Sequence, residues 1–371
     1  QPVIVGGTAT QRKEQWQSAS KAEWTICNYE LILRDIASAK KIKWEAIVCD
    51  EAQRISNPWA KTTTAIKTLH AERRIALTGT PVSNSPVDVF SIMDWLHPGY
   101  LGTRKQFFTS YVVQDNFGAV RSYKNLDNLF TRLEPFVLRR KKEEVIDDFP
   151  PLIEQKISFD LSKEERKLYD HVKLNLLSGL IVDFSEYINL IDSKTLALWP
   201  VKLLRLKQLT NHPRLIGTAV EGDSSKMKVL KELMVTILSA GRKVIHFSQF
   251  AQCCKLVAEE LLQTFPDSNP LLITGETPLP ERKNILNRFT TDPKHSVLVM
   301  SEAGNAGLNI QAASYIINID LPWSISKYEQ RIGRAHRVGQ TLPVTVYNLI
   351  ARDTADEYVL RKMESKKKKK Q

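Results

Sequence analysis

Short apolar runs occur in the N-terminal part of the chain, and each ends abruptly at polar residues. Ala46 to Cys49 is followed by Asp50-Glu51, and Ile75 to Leu77 is followed by Thr78-Gly79. Runs of this length are typical of buried parallel strands, whose carboxyl ends carry ligand sites. We therefore expect a sheet in this region, with polar side chains along one edge.

The C-terminal part shows a more regular pattern. Apolar runs alternate there with amphipathic segments such as Cys254 to Phe265 and Glu281 to Phe289. Such alternation predicts a parallel sheet with helices on both faces. The predicted strands are 244–247, 271–274, 297–300, 316–319 and 344–350.

Between these parts, from about Pro86 to Gly222, the pattern is mostly helical. Ser162 followed by Glu165 predicts a capping box, and Pro150-Pro151 interrupts the chain just before it. The sequence thus predicts an α/β fold with two parallel-sheet lobes and helical insertions between them. The expected boundaries are 1–90 for the first lobe, 91–223 for the helical segments, 224–351 for the second lobe and 352–371 for a C-terminal extension.

The composition and net charge indicate which kind of partner the protein binds and where it works. The 371 residues are enough for two separate cores, and the formal net charge of +12 favours a polyanion such as nucleic acid. Lys366 to Lys370 supply part of this charge, either as a solvated end or as an arm that grazes DNA. The four cysteines have no C-x-x-C spacing, which indicates a reducing compartment. No run approaches the roughly 18 apolar residues of a membrane span, so an intracellular, DNA-associated protein is expected.

Three candidate sites follow predicted strands. Asp50-Glu51 places two carboxylates at a sheet edge, where one can hold hydrated Mg²⁺ and the other can polarise a water. Thr78-Gly79-Thr80 is either a turn or a hydroxyl pair that senses a nucleotide. The small-residue loop from Ser301 to Asn309 either brings backbone N–H groups to a phosphate or makes a tight strand-to-helix turn.

The segment from Gln330 to Gln340 is the most informative of all. If it is helical, Gln330, Arg334 and Arg337 are spaced at i, i+4 and i+7 and lie on one face. Two guanidiniums and an amide on one face can bind oxygen anions. Taken alone, the segment could equally be a solvated basic helix face.

The order of these motifs along the chain resembles that of the superfamily-two helicase-like ATPases, and within them the Swi/Snf-type double-stranded DNA translocases. The resemblance runs from about Val3 to about Val359. It rests on Asp50 to Gln53, Leu77 to Pro81, His246 to Phe250, the loop from Ser301 and the segment from Gln330, and on three stretches similar to that branch, Thr80 to Leu101, Phe136 to Arg140 and Leu209 to Pro213.

This resemblance implies two RecA-like lobes that use ATP and Mg²⁺ and step along double-stranded DNA. Asp50 would hold the Mg²⁺ through water, and Glu51 would orient the attacking water. Gln53 stands where many relatives carry His, so its contact to the opposite lobe would not titrate near neutral pH. Thr78 and Thr80 would couple the state of the nucleotide to the DNA groove.

The second lobe would supply the remaining contacts. Gly307 and Asn309 would line the nucleotide, and Gln249 and Ser301 would contact the DNA backbone. Three further side chains would reach across the cleft between the lobes: Gln330, Arg334 and Arg337. Both arginines would act on the γ-phosphate as fingers.

The chain also departs from the family pattern. None of its 15 glycines is followed by Lys, so it contains no Gly-Lys-Ser/Thr phosphate loop. The first lobe is therefore expected to be incomplete at its N-terminus, in a fragment of a longer translocase or in a degenerate member of the family. Glu302 and Asn305 stand where remodeller-type members usually carry a basic residue and Gly.

Three functions are compatible with these observations. The leading hypothesis is an ATP-dependent double-stranded DNA translocase of the Swi/Snf type, whose present polypeptide does not hydrolyse ATP on its own. The alternative is a non-catalytic DNA-binding or scaffold protein on the same fold. The helical middle and the stretch from Leu209 to Pro213 disfavour a strand-separating helicase.

Overall fold

The computed structural model describes residues 1–79, 86–115, 118, 120–138, 140, 149–177, 193–218, 224–304 and 309–368. The chain divides into two compact units, Gln1–Arg139 and Arg140–Gln371. We call them the N-terminal unit and the C-terminal unit. Of the residues predicted above to form the site, Thr80 and Gly307 lie outside the described parts.

The N-terminal unit alternates short strands with helices before it becomes mainly helical. Its elements are β1 (Val3–Ile4), α1 (Ala9–Ala19), β2 (Thr25–Ile26), α2 (Tyr29–Ala39), β3 (Trp44–Cys49), α3 (Lys61–Lys67), β4 (Ala71–Ala76), α4 (Pro86–Leu96), α5 (Arg104–Tyr111), β5 (Val112–Gln114), β6 (Val120–Tyr123) and α6 (Leu126–Leu133).

Parallel strands of this unit form two pairs, β1 with β2 and β3 with β4. In the second pair Val48 lies opposite Ile75, and Cys49 lies opposite Ala76. Side chains alternate between the two faces of a strand. Cys49 is buried against Ile66 and Trp95, whereas Val48 and Ile75 on the other face are 43% and 45% exposed.

The helices α4, α5 and α6 form a second cluster within the N-terminal unit. Their apolar faces meet around Phe90, Phe107 and Leu129, beside the antiparallel hairpin of β5 and β6. The Arg132 guanidinium donates to the Tyr100 carbonyl at 2.5 Å, which ties the end of α6 to the loop before α5. Thr103 caps α5 in a reciprocal capping box with Gln106.

The C-terminal unit is built on one larger sheet. Its elements are β7 (Leu152–Phe159), α7 (Lys163–Leu177), α8 (Ser193–Asn211), α9 (Ser225–Ser239), β8 (Val244–Ser248), α10 (Ala251–Thr264), β9 (Leu271–Ile273), α11 (Leu279–Thr291), β10 (Val297–Ser301), β11 (Tyr315–Asn318), α12 (Ile325–Ala335), β12 (Val344–Ala351) and α13 (Ala355–Lys368).

Its six strands are all parallel, in the order β7-β12-β11-β8-β10-β9. Helices α11, α12 and α13 cover one face, and α9 and α10 cover the other. The helix after β8 and the helix after β11 therefore lie on opposite faces, although these two strands are neighbours. Ligands bind at such a switch point in open α/β sheets, outside the carboxyl ends of the strands.

The α/β class and the parallel sheet predicted from the sequence are confirmed. The five strands predicted in the C-terminal part correspond to β8–β12, with ends displaced by no more than one residue. The predicted capping box is also present, because Ser162 N donates to Glu165 Oε2 at 3.1 Å and Glu165 N donates to Ser162 Oγ at 3.1 Å. The run predicted at Ile75 to Leu77 belongs to a longer strand, β4, which ends at Ala76.

The sequence did not predict β7, which pairs along its whole length with β12 at the edge of the large sheet. Charged and polar residues interrupt this strand at Glu154, Gln155 and Lys156, so its apolar pattern is weak. Within the described parts of the chain, no helix combines the length and apolarity that crossing a bilayer requires.

Candidate functional site

The two adjacent carboxylates of the N-terminal unit lie where β3 ends. Glu51 has a φ of 51° and a ψ of 50°, in the left-handed region that costs a non-glycine residue free energy. The backbone around it is held on both sides. Tyr29 Oη donates to the Asp50 carbonyl at 2.6 Å, and Ala52 N donates to the Leu77 carbonyl at 2.9 Å. This tight turn starts the short 3₁₀ helix Ala52–Ile55.

Gln53 connects Glu51 to Thr78. Its Nε2 donates to the Glu51 carboxylate, while its Oε1 accepts a hydrogen bond from Thr78 Oγ1 at 2.7 Å. A carboxylate only accepts and a hydroxyl can donate, so both partners fix the orientation of the amide. The structure thus brings together three predicted site residues from the ends of two paired strands. This connection lies within the N-terminal unit, whereas the expected contact of Gln53 was to the opposite lobe.

Asp50 lies at the same sheet edge and is exposed. Its Oδ1 accepts a hydrogen bond from Glu51 N at 2.9 Å, which orients the carboxylate. An exposed carboxylate held at the end of a strand is a ligand type that suits hydrated Mg²⁺.

In the C-terminal unit the loop after β10 starts with a closely packed turn. Ser301 is buried, and its Oγ accepts a hydrogen bond from Gly304 N at 3.4 Å. A Cβ at Gly304 would lie 2.9 Å from both the carbonyl oxygen and Cγ2 of Ile273, so only glycine fits against the end of β9. Asn309, at the far end of the loop, is exposed.

The predicted basic helix face is only partly present. Gln330 and Arg334 lie one turn apart on α12 and are both half-buried. The helix ends at Ala335, and His336 has a ψ of 82°, so the prediction that Arg337 lies on the same helical face is wrong. Arg337 is exposed beyond the helix.

Two side chains explain this ending. His336 Nε2 lies 2.7 Å from the Pro150 carbonyl, and its ring packs 4.3 Å from that of Phe149. Gln340 Nε2 donates to the Ala335 carbonyl at 3.2 Å, which satisfies a helix-end acceptor. The chain therefore turns out of the helix before it reaches Arg337.

Comparison with known proteins decides the family. The SNF2-related domain matches residues 1–215, and the helicase conserved C-terminal domain matches residues 225–339. The chain belongs to the SNF2-related family of helicase-like ATPases. The resemblance inferred from the order of the motifs is confirmed.

Individual SNF2 relatives are similar over almost the whole chain. An uncharacterized ATP-dependent helicase of Mycoplasma genitalium is 29% identical over 358 residues, which are 96% of this chain and 33% of that protein. The mouse SWI/SNF-related matrix-associated actin-dependent regulator of chromatin subfamily A member 1 is 28% identical, over 93% of this chain and 33% of that protein. The chain thus spans about a third of the length of these relatives.

Among solved structures, the SWI2/SNF2 ATPase core of Sulfolobus solfataricus in complex with double-stranded DNA is 28% identical to this SNF2-family chain. The match covers 97% of this chain and 78% of that one, with a TM-score of 0.48.

A buried charge network that the sequence pattern does not predict lies at the switch point of this SNF2-family chain. Asp320 is fully buried just after β11, and its Oδ2 accepts from the Ser248 hydroxyl and from Asn211 Nδ2, the latter at 2.8 Å. Burial alone would raise the pKa of Asp320, but the charges of Lys207 and Arg331 and the Ser248 hydrogen bond lower it. The carboxylate therefore stays ionised inside the unit.

Gln249, predicted to contact DNA, is also part of this network. Its backbone N donates to Asp320 Oδ1 at 3.0 Å, and its Nε2 donates to the Leu321 carbonyl at 2.7 Å. Neither Gln249 nor the buried Ser301 is a freely exposed side chain. A DNA contact from either residue stays a prediction.

The stretch from Leu209 to Pro213, which marked the Swi/Snf branch in the sequence, supplies the centre of the network. Asn211 Oδ1 accepts from Lys226 Nζ at 3.0 Å, and the same ammonium lies 2.7 Å from Asp356 Oδ2. Lys207, on the preceding turn of α8, donates to the Leu321 carbonyl at 2.5 Å. Burial lowers the pKa of Lys207 to about 8 against the opposing charges of Asp320 and Asp356.

In the sequence, the stretch from Leu209 to Pro213 is the one indication of this network. Lysine and aspartate are rarely fully buried, and Lys226 and Asp356 are 130 positions apart. A charged residue inside an amphipathic helix pattern is normally assigned to the solvent side, so the pairing becomes evident only in the folded chain.

Proposed function

We propose that this chain is the motor portion of an ATP-dependent DNA translocase that tracks the backbone of double-stranded DNA. The observation that carries this proposal is the Glu51–Gln53–Thr78 connection at the carboxyl edge of β3 and β4. It links a carboxylate that can orient water to a hydroxyl on the neighbouring strand end. A solvated carboxylate pair without function would not require the strained backbone of Glu51.

The residues present fit parts of an ATP·Mg²⁺ site. Asp50 would hold the hydrated metal ion, because its carboxylate is exposed and oriented. Glu51 would orient the attacking water, and Arg334 would stabilise charge that develops on the transferred phosphoryl group. Gln330, Arg337, Asn309 and Gly307 would complete the contacts to the nucleotide, while Thr78 and Thr80 would pass its state to the DNA groove. The ATP would supply the phosphoryl group whose transfer drives movement.

Double-stranded DNA is the partner that the charge and the relatives favour. The chain carries a formal net charge of +12, and phosphate contacts are sufficient for tracking a backbone. Two relatives are described as an ATP-dependent helicase and as a regulator of chromatin. Backbone contacts rather than base contacts would make the binding strongly dependent on salt.

We further propose that the 371 residues alone do not hydrolyse ATP. None of their glycines precedes a lysine, so the lysine that neutralises the β- and γ-phosphates in this class of ATPase is not supplied. Phosphate release by the isolated 371-residue chain should therefore stay at background when double-stranded DNA is added. DNA-stimulated release would contradict this part of the proposal.

The test of the main proposal is Arg334→Ala in the natural gene product that contains these residues. DNA-stimulated ATP turnover should fall by about 10³-fold or more, because a finger is removed, while salt-dependent DNA binding should be retained. Arg352→Ala is the matched control, since Arg352 forms an exposed ion pair with Asp160. If the Arg334 variant loses DNA binding together with turnover, Arg334 is a DNA contact instead.

The missing Gly-Lys pair also supports a second candidate, a non-catalytic DNA-binding or scaffold protein on the same fold. The same assay separates the two. Salt-sensitive DNA binding without any turnover in the unmodified gene product would establish the scaffold.

A further inference from the structure

Arg331 is the most completely enclosed charge on α12. Its side chain is 0% exposed, and its Nε lies 2.7 Å from Glu302 Oε1. Its Nη1 donates to Asn318 Oδ1 at 2.9 Å and to the Asp320 carbonyl at 2.6 Å. A guanidinium keeps its charge at any physiological pH, so burial holds it in this one arrangement of partners.

These partners belong to different segments of the C-terminal unit. Glu302 opens the loop that follows β10, whereas Asn318 and Asp320 lie at the end of β11. Lys327, one turn before Arg331 on the same helix, also lies 3.5 Å from Glu302 Oε2. The start of the loop is thus bound to α12 by two cations.

The far end of the same loop is bound to α12 and to the turn that follows it. Ile310 N donates to the Arg334 carbonyl at 2.9 Å. Gln311 Nε2 donates to the Val338 carbonyl, and Gln340 Nε2 donates to the Gln311 carbonyl at 3.0 Å. Both ends of the loop therefore have fixed positions relative to the helix that carries Gln330 and Arg334.

We propose that Arg331, through Glu302, is a positioning residue that makes the start of the loop after β10, residues 302–304, and the helix α12 move as one body and so sets the placement of Arg334. This inference rests on the proposed function, because the effect that it predicts is a change in ATP turnover. The Arg331 side chain is enclosed by protein groups of the described residues, so its effect would be exerted through Arg334. A basic residue at position 302, usual in remodeller-type SNF2 members, could not form this pair.

The activity test uses the natural gene product and three variants. Arg331→Met should lower kcat for DNA-stimulated ATP hydrolysis by about tenfold or more, with little change in KM for ATP or in DNA binding. The double variant Glu302→Leu, Arg331→Met replaces the ion pair by apolar groups and should recover thermal stability but not kcat. Arg352→Met, which breaks an exposed pair, should change neither quantity.

Recovery of kcat in the double variant would overturn the proposal, since Arg331 would then serve folding alone. A fall in DNA binding that parallels the fall in kcat would overturn it also, because the residue would belong to the DNA interface.

A second measurement does not depend on turnover. In the 371-residue chain, Glu302→Gln should raise amide hydrogen exchange by about tenfold both in residues 302–304 and along α12, because the two segments share one tether. Exchange that rises only at 302–304 would show that the loop and the helix move independently. If the unmodified gene product shows no turnover, the proposed function fails, and hydrogen exchange alone decides whether the tether exists.

Discussion

The parallel strands of the two units differ most in how they are covered. In the C-terminal unit, strands β8 and β10 are buried at every position, with helices on both faces of the sheet. In the N-terminal unit, the described residues pack against one face of the pair β3 and β4, and Val48, Ile75 and Leu77 are 43–48% exposed on the other side. Parallel sheets are normally covered on both faces, so the second arrangement is unusual.

The two units therefore hold the polar side chains at their strand ends in different ways. In the C-terminal unit, buried charges fix the strand ends through Asp320, Lys226 and Arg331. In the N-terminal unit, Asp50 and Glu51 depend on a strained turn and a few hydrogen bonds near the surface. The C-terminal unit should therefore lose more free energy of unfolding when one polar group is removed.

Lys226→Met should have the largest effect on stability. It leaves Asp356 buried without its cation, which should lower the free energy of unfolding of the C-terminal unit by about 3–5 kcal/mol. Native-state hydrogen exchange of peptides from β8 and β10 measures this value for one unit at a time. Lys156→Met is the control, because Lys156 and Glu364 are both about half exposed, and should cost under about 1 kcal/mol. Equal effects would show that a buried pair stabilises the C-terminal unit no more than a surface pair does, which would remove the basis of the contrast with the N-terminal unit.

The same substitution at matched strand positions tests coverage directly. Val299→Thr puts a hydroxyl into the buried face of β10 and should cost about 1–3 kcal/mol. Val48→Thr, two residues before Asp50 in β3, should change the free energy of unfolding of its own unit by less than about 0.5 kcal/mol, since its side chain reaches water. Exchange of β10 and β3 peptides gives the two values, and a cost of several kcal/mol at Val48 would show that this face is covered in solution.

His246 makes the stability of the C-terminal unit depend on pH. It is fully buried in β8, neither ring nitrogen has a hydrogen-bond partner among the described residues, and burial lowers its pKa from 6.5 to about 3. Between these values the unfolded chain binds the proton and the folded chain does not, so stability is lost as pH falls below about 6.5.

Removing this group should flatten the pH dependence. Between pH 7 and pH 5, the free energy of unfolding of the C-terminal unit should fall by about 2 kcal/mol less in His246→Leu than in the original chain. Urea unfolding at each pH measures this difference. The N-terminal unit of the same variant serves as an internal reference, because it should show no change. If the free energy of unfolding changed with pH equally in the variant and the original chain, His246 would be hydrated in the folded state.

A smaller effect is predicted for the surface network of the N-terminal unit. Gln53→Ala removes the connection between Glu51 and Thr78 and should lower ATP turnover of the natural gene product about tenfold, or about 1.4 kcal/mol. Gln17→Ala on the exposed side of α1 is the matched control. Unchanged turnover in the Gln53 variant would show that Glu51 is held by its backbone alone.

The degree to which the sequence predicted the fold follows the same contrast between the units. The strands of the large sheet were predicted almost to the residue because full burial requires continuous apolar runs, such as Val297 to Met300. The edge strand β7 was missed because it is half-exposed and rich in polar residues. The local hydrophobic pattern thus predicts a strand best where all of its side chains are buried.

The candidate site was predicted less completely, because part of it depends on distant contacts. The sequence placed Glu51 and Thr78 at the ends of two strands, and the contact of both with Gln53 is evident only in the structure. The end of α12 at Ala335 depends on Pro150 and Gln340, and spacing within the helix could not reveal it. The network around Asp320 likewise requires partners from α8, α9 and α13.

The left-handed backbone of Glu51 has a consequence for how this protein can change under selection. Glycine adopts that conformation without cost, so Glu51→Gly should stabilise the turn by up to about 1 kcal/mol while it deletes the carboxylate. Selection for folding alone would therefore favour glycine at position 51, and selection for turnover would keep glutamate. The residue that we assign to water orientation is thus retained at the expense of stability.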